Sequence, residues 1–184
     1  SIRKKVAWIH SSYRTNNNFY KFYQNEAYRE KLKSERYGKL DSIVFVSEDA
    51  RKEFVDIFGH YPDMKVIYNI FNIDQIKQKA KEDIDHSFKD FTFLAAGSLL
   101  NVKGFDRLIR SAKIVADSGY DFNIVLLGSG PEKDNLKELV NSLNIEHHIY
   151  FKGFVDNPYP YMKQSDVFIM SSLSEALPTV LCEA

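Results

Sequence analysis

Residues 91–127, FTFLAAGSLLNVKGFDRLIRSAKIVADSGYDFNIVLL, decide the fold of this chain. Two short apolar runs flank a longer amphipathic stretch, which predicts a strand at Phe91–Ala96, a helix at Phe105–Ser118 and a strand at Phe122–Leu127. The pattern then continues with helix Pro131–Leu143, strand Ile149–Phe151, helix Pro158–Gln164 and strand Val167–Met170. Strands that alternate with helices predict a parallel, doubly wound α/β sheet.

The first 82 residues show the same alternation and look like the tail of a separate α/β unit. The predicted strands are Lys5–Ile9, Asp41–Val46 and Lys65–Tyr68, and the predicted helices are Phe19–Tyr37, Glu48–Phe58 and Ile73–Glu82. We expect Ser47 to cap the second of these helices and Gly59 to stop it. Residues 83–89 read as a linker.

Composition bounds the class of protein. The chain has 184 residues and is 44% hydrophobic and 14% aromatic, which is enough for a packed core. Its single cysteine, Cys182, excludes a disulfide framework and fits a reducing compartment; we expect it to pack in the core. No apolar run reaches the roughly 20 residues that span a bilayer.

Charge is distributed unevenly, although the formal net charge is zero. Residues 1–40 contain ten lysines and arginines against three glutamates, and the rest of the chain carries the matching negative excess. This asymmetry predicts that the first segment faces an anionic partner.

Ligands of open α/β sheets bind at the carboxyl ends of the strands. Gly97, Gly128, Gly130, Gly153 and Glu175 each follow a predicted strand, so we expect them to gather on one rim.

Three of the rim loops carry candidate binding residues, each with a plainer alternative. Lys103, in the loop that begins at Gly97, could place its charge on a diphosphate, or it is a surface lysine in a tight turn. Gly128 and Gly130 open space above their strand, or they belong to an ordinary strand-to-helix turn. Phe154 offers a flat wall to a nucleobase, or it packs in the core.

Two glutamates eight residues apart, Glu175 and Glu183, form the most informative pair. The strand before them should end near Ser172, and Pro178 suits the first turn of a helix. Glu175 would then lie in the loop and Glu183 about two turns into the helix, on either side of a helix N-terminus that suits a phosphate. Carboxylates for sugar hydroxyls beside amides for phosphate indicate a sugar-nucleotide site. No spacing of cysteine and histidine indicates a metal.

These motifs, in this order, resemble the retaining glycosyltransferases of family four, which have the two-domain GT-B fold. The matching stretches are Gly97 with 102–109, 125–132, 151–154, 165–168 with Ser172, 175–178, and Glu183 with Ala184. Residues 157–162, NPYPYM, look like the branch that builds capsule and lipopolysaccharide chains. Residues 46–48 and 66–69 look like the late part of the family's N-terminal domain.

The resemblance implies roles for individual residues. Glu183 resembles the glutamate that binds the ribose hydroxyls. Glu175 resembles the one that contacts the transferred sugar, and Leu177 and Pro178 follow it in the donor site. Lys103 resembles the phosphate-binding lysine, and His10 resembles the histidine of the N-terminal domain that faces the reacting sugar.

The donor set implied by the resemblance also includes the rim residues, with one departure from the family's pattern. The full set is Gly97, Ser98, Lys103, Gly128, Gly130, Phe154, Leu177, Pro178 and Glu183. The departure is Ser98, which stands where the family usually has arginine, so one diphosphate contact is absent or comes from elsewhere.

We therefore expect a GT-B-like α/β chain: residues 1–86 would be the tail of an acceptor-side Rossmann-like domain plus linker, and 87–184 a truncated nucleotide-sugar-binding domain. The implied activity is metal-independent transfer of a hexosyl-type sugar, with retention, from a UDP- or GDP-sugar to a saccharide or lipid-linked acceptor in bacterial surface polysaccharide synthesis. No cofactor and no nucleic acid is implied. The chain looks like an internal fragment, which we expect to be inactive by itself.

Two other functions stay open. One is a nucleotide-sugar epimerase on the same fold, which would need no acceptor. The other is a non-catalytic module that binds a nucleotide. For the parent protein we expect a cytoplasmic location, with peripheral contact between the basic first segment and the anionic inner face of the membrane.

Overall fold

The structure is a computed structural model that describes residues 4–13, 23–84 and 90–184. These residues form two compact units. The first unit holds the described residues up to Ile70 together with Ser174–Pro178, and the second holds the others. The domain boundary expected between residues 86 and 87 stays a prediction.

A three-stranded parallel sheet forms the first unit, in the order β1-β2-β3. Its strands are β1 (Val6–Ile9), β2 (Ser42–Phe45) and β3 (Met64–Val66). The helices described in this unit are α1 (Glu26–Glu35), a 3₁₀ turn (Tyr37–Lys39) and α2 (Glu48–Phe58). The three predicted strands are confirmed with ends shifted by one or two residues. Helix Phe19–Tyr37 was predicted too long, because the α-helix begins at Glu26, after its cap Asn25, and stops at Glu35. Residues 19–22 lie outside the described residues.

Helix α2 begins and ends where its sequence predicts. The Ser47 hydroxyl accepts a hydrogen bond from the backbone N–H of Ala50 at 3.1 Å, which satisfies one of the free donors at the helix start. Gly59 ends the helix with a φ of 82°, a conformation that favours glycine.

Aromatic rings fill the core of the first unit. Phe45, Phe54 and Phe58 are all buried. Tyr13 and Tyr37 pack against Phe54 and Phe58 with ring centroids 4.8 to 5.9 Å apart, mostly edge to face. Such contacts add to the free energy gained from burial of the rings.

Four parallel strands form the sheet of the second unit, in the order β6-β5-β4-β7. They are β4 (Thr92–Ala96), β5 (Asn123–Leu127), β6 (Ile149–Gly153) and β7 (Val167–Phe168). The helices described in this unit are α3 (Ile73–Lys79), a 3₁₀ turn (Asn101–Lys103), α4 (Phe105–Asp117), α5 (Lys133–Ser142), α6 (Tyr159–Gln164) and α7 (Thr179–Glu183).

Helices cover both faces of this second sheet. On β5, Ile124 and Leu126 belong to a core cluster that includes Ile109 of α4 and Val140 of α5. The alternate residues of β5, Val125 and Leu127, pack on the other face with Tyr161 and Met162 of α6. Since successive side chains of a strand point to opposite faces, the doubly wound prediction is confirmed.

Several element ends differ from their predictions. β7 stops at Phe168 and not at Met170, because the chain past Ile169 leaves β4 and bonds to the 3₁₀ turn. β6 runs on to Gly153, which we expected to follow the strand, because a register shift against Leu126 and Leu127 extends the pairing. The polar helix of residues 73–82 ends at Lys79.

The C-terminal helix also differs in detail. Glu183 is the last residue of the five-residue α7, whereas we expected it about two turns into a helix. Cys182, expected in the core, is exposed. In the part of the chain that the structure describes, no helix is long and apolar enough to span a bilayer.

Candidate functional site

A cavity of about 390 Å³ opens at the carboxyl ends of β4, β5 and β6 in the second unit. Four predicted donor-binding residues line it: Gly97, Ser98, Gly128 and Phe154. The other lining residues are Ala96, Leu127, Ser129, Val155 and Pro158. Three separate strand ends thus contribute to one concave surface, the place where open α/β sheets bind ligands.

Backbone hydrogen bonds join the loops around this cavity. The N–H of Gly97 donates to Leu127 at 2.9 Å, and the N–H of Gly128 donates to Gly153 at 2.7 Å. Further out, the N–H of Leu99 donates to Ser129 at 2.9 Å. The rim is therefore held by main-chain contacts from one strand end to the next.

Gly128 and Gly130 are required by this close packing of loops. A Cβ added at Gly128, whose φ is 143°, would lie 1.8 Å from the carbonyl oxygen of Gly97. A Cβ at Gly130 would lie 2.4 Å from the carbonyl oxygen of Leu99. The sequence suggested that these glycines open space for a ligand, which stays a prediction. The structure shows that they allow two loops to touch.

Lys103 lies beside the same rim. It ends the 3₁₀ turn and is partly buried, and its Cδ and Cε atoms lie 3.9 Å from the point where a Cβ of Gly97 would stand. Its aliphatic chain therefore runs alongside a residue that lines the cavity. Its role in binding a phosphate stays a prediction.

Phe154 is an exposed ring in the cavity wall. Its exposed fraction is 72%, which rules out the alternative that it packs in the core. An apolar ring held in the open beside a cavity offers a stacking surface to a flat ligand.

Glu183 ends α7 and lies near Tyr159. It is partly buried in α7, and its charge is one of two causes that raise the pKa of Tyr159; burial of the phenol is the larger cause. Tyr159 directly follows Pro158, which lines the cavity. The structure thus brings Glu183 close to the start of α6.

The segment with Glu175, Leu177 and Pro178 packs with the first unit. The carbonyl of Ala176 accepts a hydrogen bond from the Ser47 hydroxyl at 2.7 Å, and Ala176 packs against the aromatic core of that unit. The expectation that Glu175 joins the rim of the second sheet stays a prediction.

His10 follows β1 and is exposed in the first unit. Its ring stacks on Trp8, with centroids 5.8 Å apart and planes 16° apart, and both line a cavity of about 300 Å³ with Tyr13 and Tyr37 among the other residues. Residues two apart on a strand share a face, so the Trp8–His10 pair could have been found from the sequence, although we missed it.

Glu53 holds the loop that follows His10, a role that could not have been predicted from the sequence. Its carboxylate accepts hydrogen bonds from the Ser12 hydroxyl at 2.9 Å and from the backbone N–H of Tyr13 at 3.1 Å. Both donors belong to the loop after His10, which Glu53 therefore anchors to α2. Nothing in the spacing of these residues signals the contact, since 40 residues separate the partners.

Among the residues that the structure describes, no group of three or more histidines, cysteines, aspartates and glutamates could hold a metal ion. Metal independence stays a prediction.

Comparison with known proteins identifies the family and the fold of this chain. The family model described as "Glycosyl transferases group 1" matches residues 75–184. An uncharacterized glycosyltransferase of Methanocaldococcus jannaschii is 32% identical over an alignment of 175 residues, which covers 86% of this chain and 43% of the relative. The chain spans about two-fifths of the length of the curated relatives that it matches.

A second relative has an assigned activity. It is the N-acetylgalactosamine-N,N'-diacetylbacillosaminyl-diphospho-undecaprenol 4-alpha-N-acetylgalactosaminyltransferase of Campylobacter jejuni, 35% identical over 149 residues, 80% of this chain and 40% of the relative. Among solved structures, Anabaena HepE in complex with UDP and glucose superposes with a TM-score of 0.78 at 19% identity, covering 99% of this chain and 50% of that one. The solved structures of this kind are GT-B glycosyltransferases, so the predicted fold class is confirmed.

Proposed function

This chain belongs to the group 1 glycosyltransferase family, and from that premise we propose that the whole protein transfers a hexosyl-type sugar from a nucleoside-diphosphate donor to a saccharide or lipid-linked acceptor. One observation carries the proposal: Gly97, Ser98, Gly128 and Phe154, chosen from the sequence as donor-binding residues, line one cavity at the strand ends. Lys103 extends along its edge.

In this proposal the cavity and its rim hold the donor. Phe154 stacks on the nucleobase, and Glu183 accepts hydrogen bonds from the ribose hydroxyls; bonds of this charge-assisted kind are stronger than those between neutral groups. Leu177, Pro178 and the glycine loops complete the donor contacts. The nucleotide of the donor would be UDP or GDP.

Lys103 has the main electrostatic task. As the sugar leaves, negative charge grows on the diphosphate, and a fixed cation there lowers the energy of the transition state more than that of the bound substrate. With Ser98 in place of the family's usual arginine, a larger share of this task falls to Lys103. No metal is required, and Glu175 and His10 contact the reacting sugar, whose anomeric configuration is retained.

The relatives support a proposal for the acceptor and for the biological setting. The Campylobacter jejuni enzyme is named for a diphospho-undecaprenol-linked saccharide, which supports a lipid-linked acceptor. Relatives named as lipopolysaccharide core and O-antigen biosynthesis glycosyltransferases support a role in the synthesis of bacterial surface polysaccharides such as lipopolysaccharide or capsule. The enzyme would be cytoplasmic and would meet the inner face of the membrane through its basic first segment.

Calorimetry on the chain tests the donor site. We expect UDP or GDP to bind, and Phe154→Ala to weaken that binding about five- to a hundredfold, since stacking of a base on an aromatic ring contributes about 1–3 kcal/mol. Tyr120→Ala is the matched control, because this ring of the same unit is 67% exposed and does not line the cavity. Absence of nucleoside-diphosphate binding, or equal affinity in Phe154→Ala, would refute the donor site.

Assays on the full-length parent test the reaction. Transfer to an acceptor, with the product anomer read by NMR and with chelator present, would support retaining, metal-independent transfer. Conversion of the donor without any acceptor would instead indicate an epimerase, and nucleotide binding without turnover a binding module.

A further inference from the structure

The loop that follows β7 is bonded to the turn that carries Lys103. The Ser171 hydroxyl donates to the carbonyl oxygen of Lys103 at 2.9 Å. The N–H of Leu173 donates to the carbonyl oxygen of Val102 at 2.8 Å. Two successive carbonyls of the 3₁₀ turn are therefore held by one short loop, 68 and 71 residues further along the chain.

Gly104 allows these two segments to approach. Its φ is 64°, in the left-handed region, and a Cβ there would lie 2.3 Å from the carbonyl oxygen of Ser171. Only a residue without a side chain fits, so the close contact between the turn and the loop is built into the backbone.

The carbonyl of Lys103 lies just before the first turn of α4. The first hydrogen bonds of α4 are accepted by Gly104, from the N–H groups of Arg107 and Leu108. The Lys103 carbonyl thus precedes the helix, and Ser171 supplies a donor for it. Loss of the Ser171 hydroxyl would remove one hydrogen bond from this carbonyl.

From these contacts we infer that Ser171 is a positioning residue: it fixes the backbone of Lys103 so that the lysine side chain runs along the rim past Gly97. The inference rests on the proposed function, in which Lys103 binds the donor diphosphate. Ser171 does not itself touch the donor. Its hydroxyl sets the direction from which the lysine charge reaches the phosphate edge of the cavity.

The sequence did not indicate this role. Ser171 lies at the end of the last predicted strand, where we expected the chain to continue straight toward Ser172. The strand stops at Phe168, and that early stop is what delivers the hydroxyl to the turn.

The experiment compares the wild-type chain with Ser171→Ala, Ser171→Thr, Lys103→Ala and the Ser171→Ala/Lys103→Ala double variant. Ser142→Ala is the matched control, because that hydroxyl also donates to a backbone carbonyl, at 2.8 Å, in the same unit. Two quantities are measured: affinity for UDP and for uridine by calorimetry, and the NMR signal of the Lys103 amine after reductive ¹³C-methylation, without any nucleotide.

We expect Ser171→Ala to weaken UDP binding about three- to tenfold, the effect of one lost hydrogen bond, and to leave uridine binding unchanged. Ser171→Thr, which keeps the hydroxyl, should restore the affinity. In the Lys103→Ala background the same change should have no effect, since neighbouring residues that act through one another are not additive. The Lys103 signal should move in Ser171→Ala and not in Ser142→Ala.

Two results would overturn the inference. One is an unmoved Lys103 signal in Ser171→Ala; the other is an equal loss of UDP and uridine affinity, as a purely structural role would give. If the wild-type chain binds no nucleotide, the donor site itself is refuted, and the Lys103 signal still decides whether Ser171 positions the lysine.

Discussion

At the scale of single residues, the glycines of the rim show how tightly the candidate site is built. Gly128 places its backbone against Gly97, and Gly130 places its backbone against Leu99, at distances that exclude any side chain. A site whose loops touch main chain to main chain is held in shape before a ligand arrives. Such preorganisation is what electrostatic stabilisation of a transition state requires.

Gly128→Ala should destabilise the chain more than Gly119→Ala. Both glycines have positive φ, 143° and 82°, but a Cβ at Gly119 would meet no atom within 4 Å. The control therefore carries only backbone strain, while Gly128→Ala adds a clash that costs about 1–3 kcal/mol more, as overpacking does. Urea unfolding followed by circular dichroism measures the difference. Equal free energies of unfolding would show that the two loops separate without cost.

The tyrosines of the first unit couple its stability to alkaline pH. Burial raises the pKa of Tyr37, and burial together with the neighbouring Tyr37 raises that of Tyr13; the two hydroxyls lie 3.1 Å apart. Above pH 10 an unfolded tyrosine loses its proton while the folded one keeps it. The unfolded state then binds fewer protons, so the free energy of unfolding falls as pH rises.

We therefore expect Tyr13→Phe and Tyr37→Phe to flatten the loss of stability between about pH 10 and pH 12, the range that begins at the ordinary tyrosine pKa. Tyr120→Phe, at an exposed position, should leave that slope as in the wild type. Denaturant midpoints measured at pH 8, 10 and 11.5 give the slope. An unchanged slope in both core variants would mean that other groups cause the alkaline loss.

At the scale of elements, Ser47 serves two segments at once. Its hydroxyl accepts from Ala50 as the cap of α2 and donates to the carbonyl of Ala176 in the segment that carries Glu175. A helix cap is a common use of serine, and the sequence predicted it. The second bond spans 129 residues and could not be read from local spacing.

Ser47→Ala should consequently lower the stability of the chain more than the loss of a helix cap alone would. Asn72→Ala is the matched control, since Asn72 caps α3 by accepting from Gln75 at 3.0 Å and is exposed. We expect the free energy of unfolding to fall by about 1 kcal/mol in the control and by about 1 kcal/mol more in Ser47→Ala, because Ser47→Ala also loses a second hydrogen bond. Thermal and urea unfolding compare the two variants. Equal losses would show that the bond to Ala176 adds nothing to stability.

At the scale of the whole molecule, the charge asymmetry predicts where the parent protein works. Residues 1–40 have an excess of seven positive charges after their three glutamates are subtracted. The glutamates that pair with Lys31 and Lys33 in α1 are among those three, so these ion pairs do not reduce the excess further. Each basic residue near an anionic membrane contributes about 1 kcal/mol to binding. A few of them would hold the protein weakly and reversibly.

The full-length parent should therefore sediment with liposomes that contain anionic lipid at low salt. It should be released at high salt, because the Debye length, over which charges interact, falls to about 3 Å at 1 M salt. Liposomes of neutral lipid are the control, and replacement of Lys31, Lys33 and Lys39 by glutamine should weaken the binding. Equal, negligible sedimentation in all conditions would contradict the membrane contact.

Sequence reasoning reached the parallel, doubly wound sheet, the helices on both of its faces and four residues that line the cavity. These features depend on local periodicity and on a general rule for parallel sheets. It did not reach Glu53, the Ser47–Ala176 bond or the Ser171–Lys103 bond. Each of these joins residues at least 40 apart through hydroxyl, carboxylate or main-chain groups, and such contacts leave no periodic trace. The end of β7 was predicted wrongly for a related reason. The strand stops at Phe168 because the chain after it bonds to the 3₁₀ turn at Val102, which is distant in sequence.

The bond from Ser47 to Ala176 has a consequence for how this sequence can change over generations. Its acceptor is a main-chain carbonyl, which every amino acid provides, so the codon for residue 176 is free to drift wherever the new side chain fits the aromatic core. The donor is a side-chain hydroxyl, and the codon for residue 47 can move only to one that preserves it. Selection for this hydrogen bond should therefore act on the identity of residue 47 and not on that of residue 176. Only a residue with a hydroxyl at position 47 keeps the bond to the segment that carries Glu175.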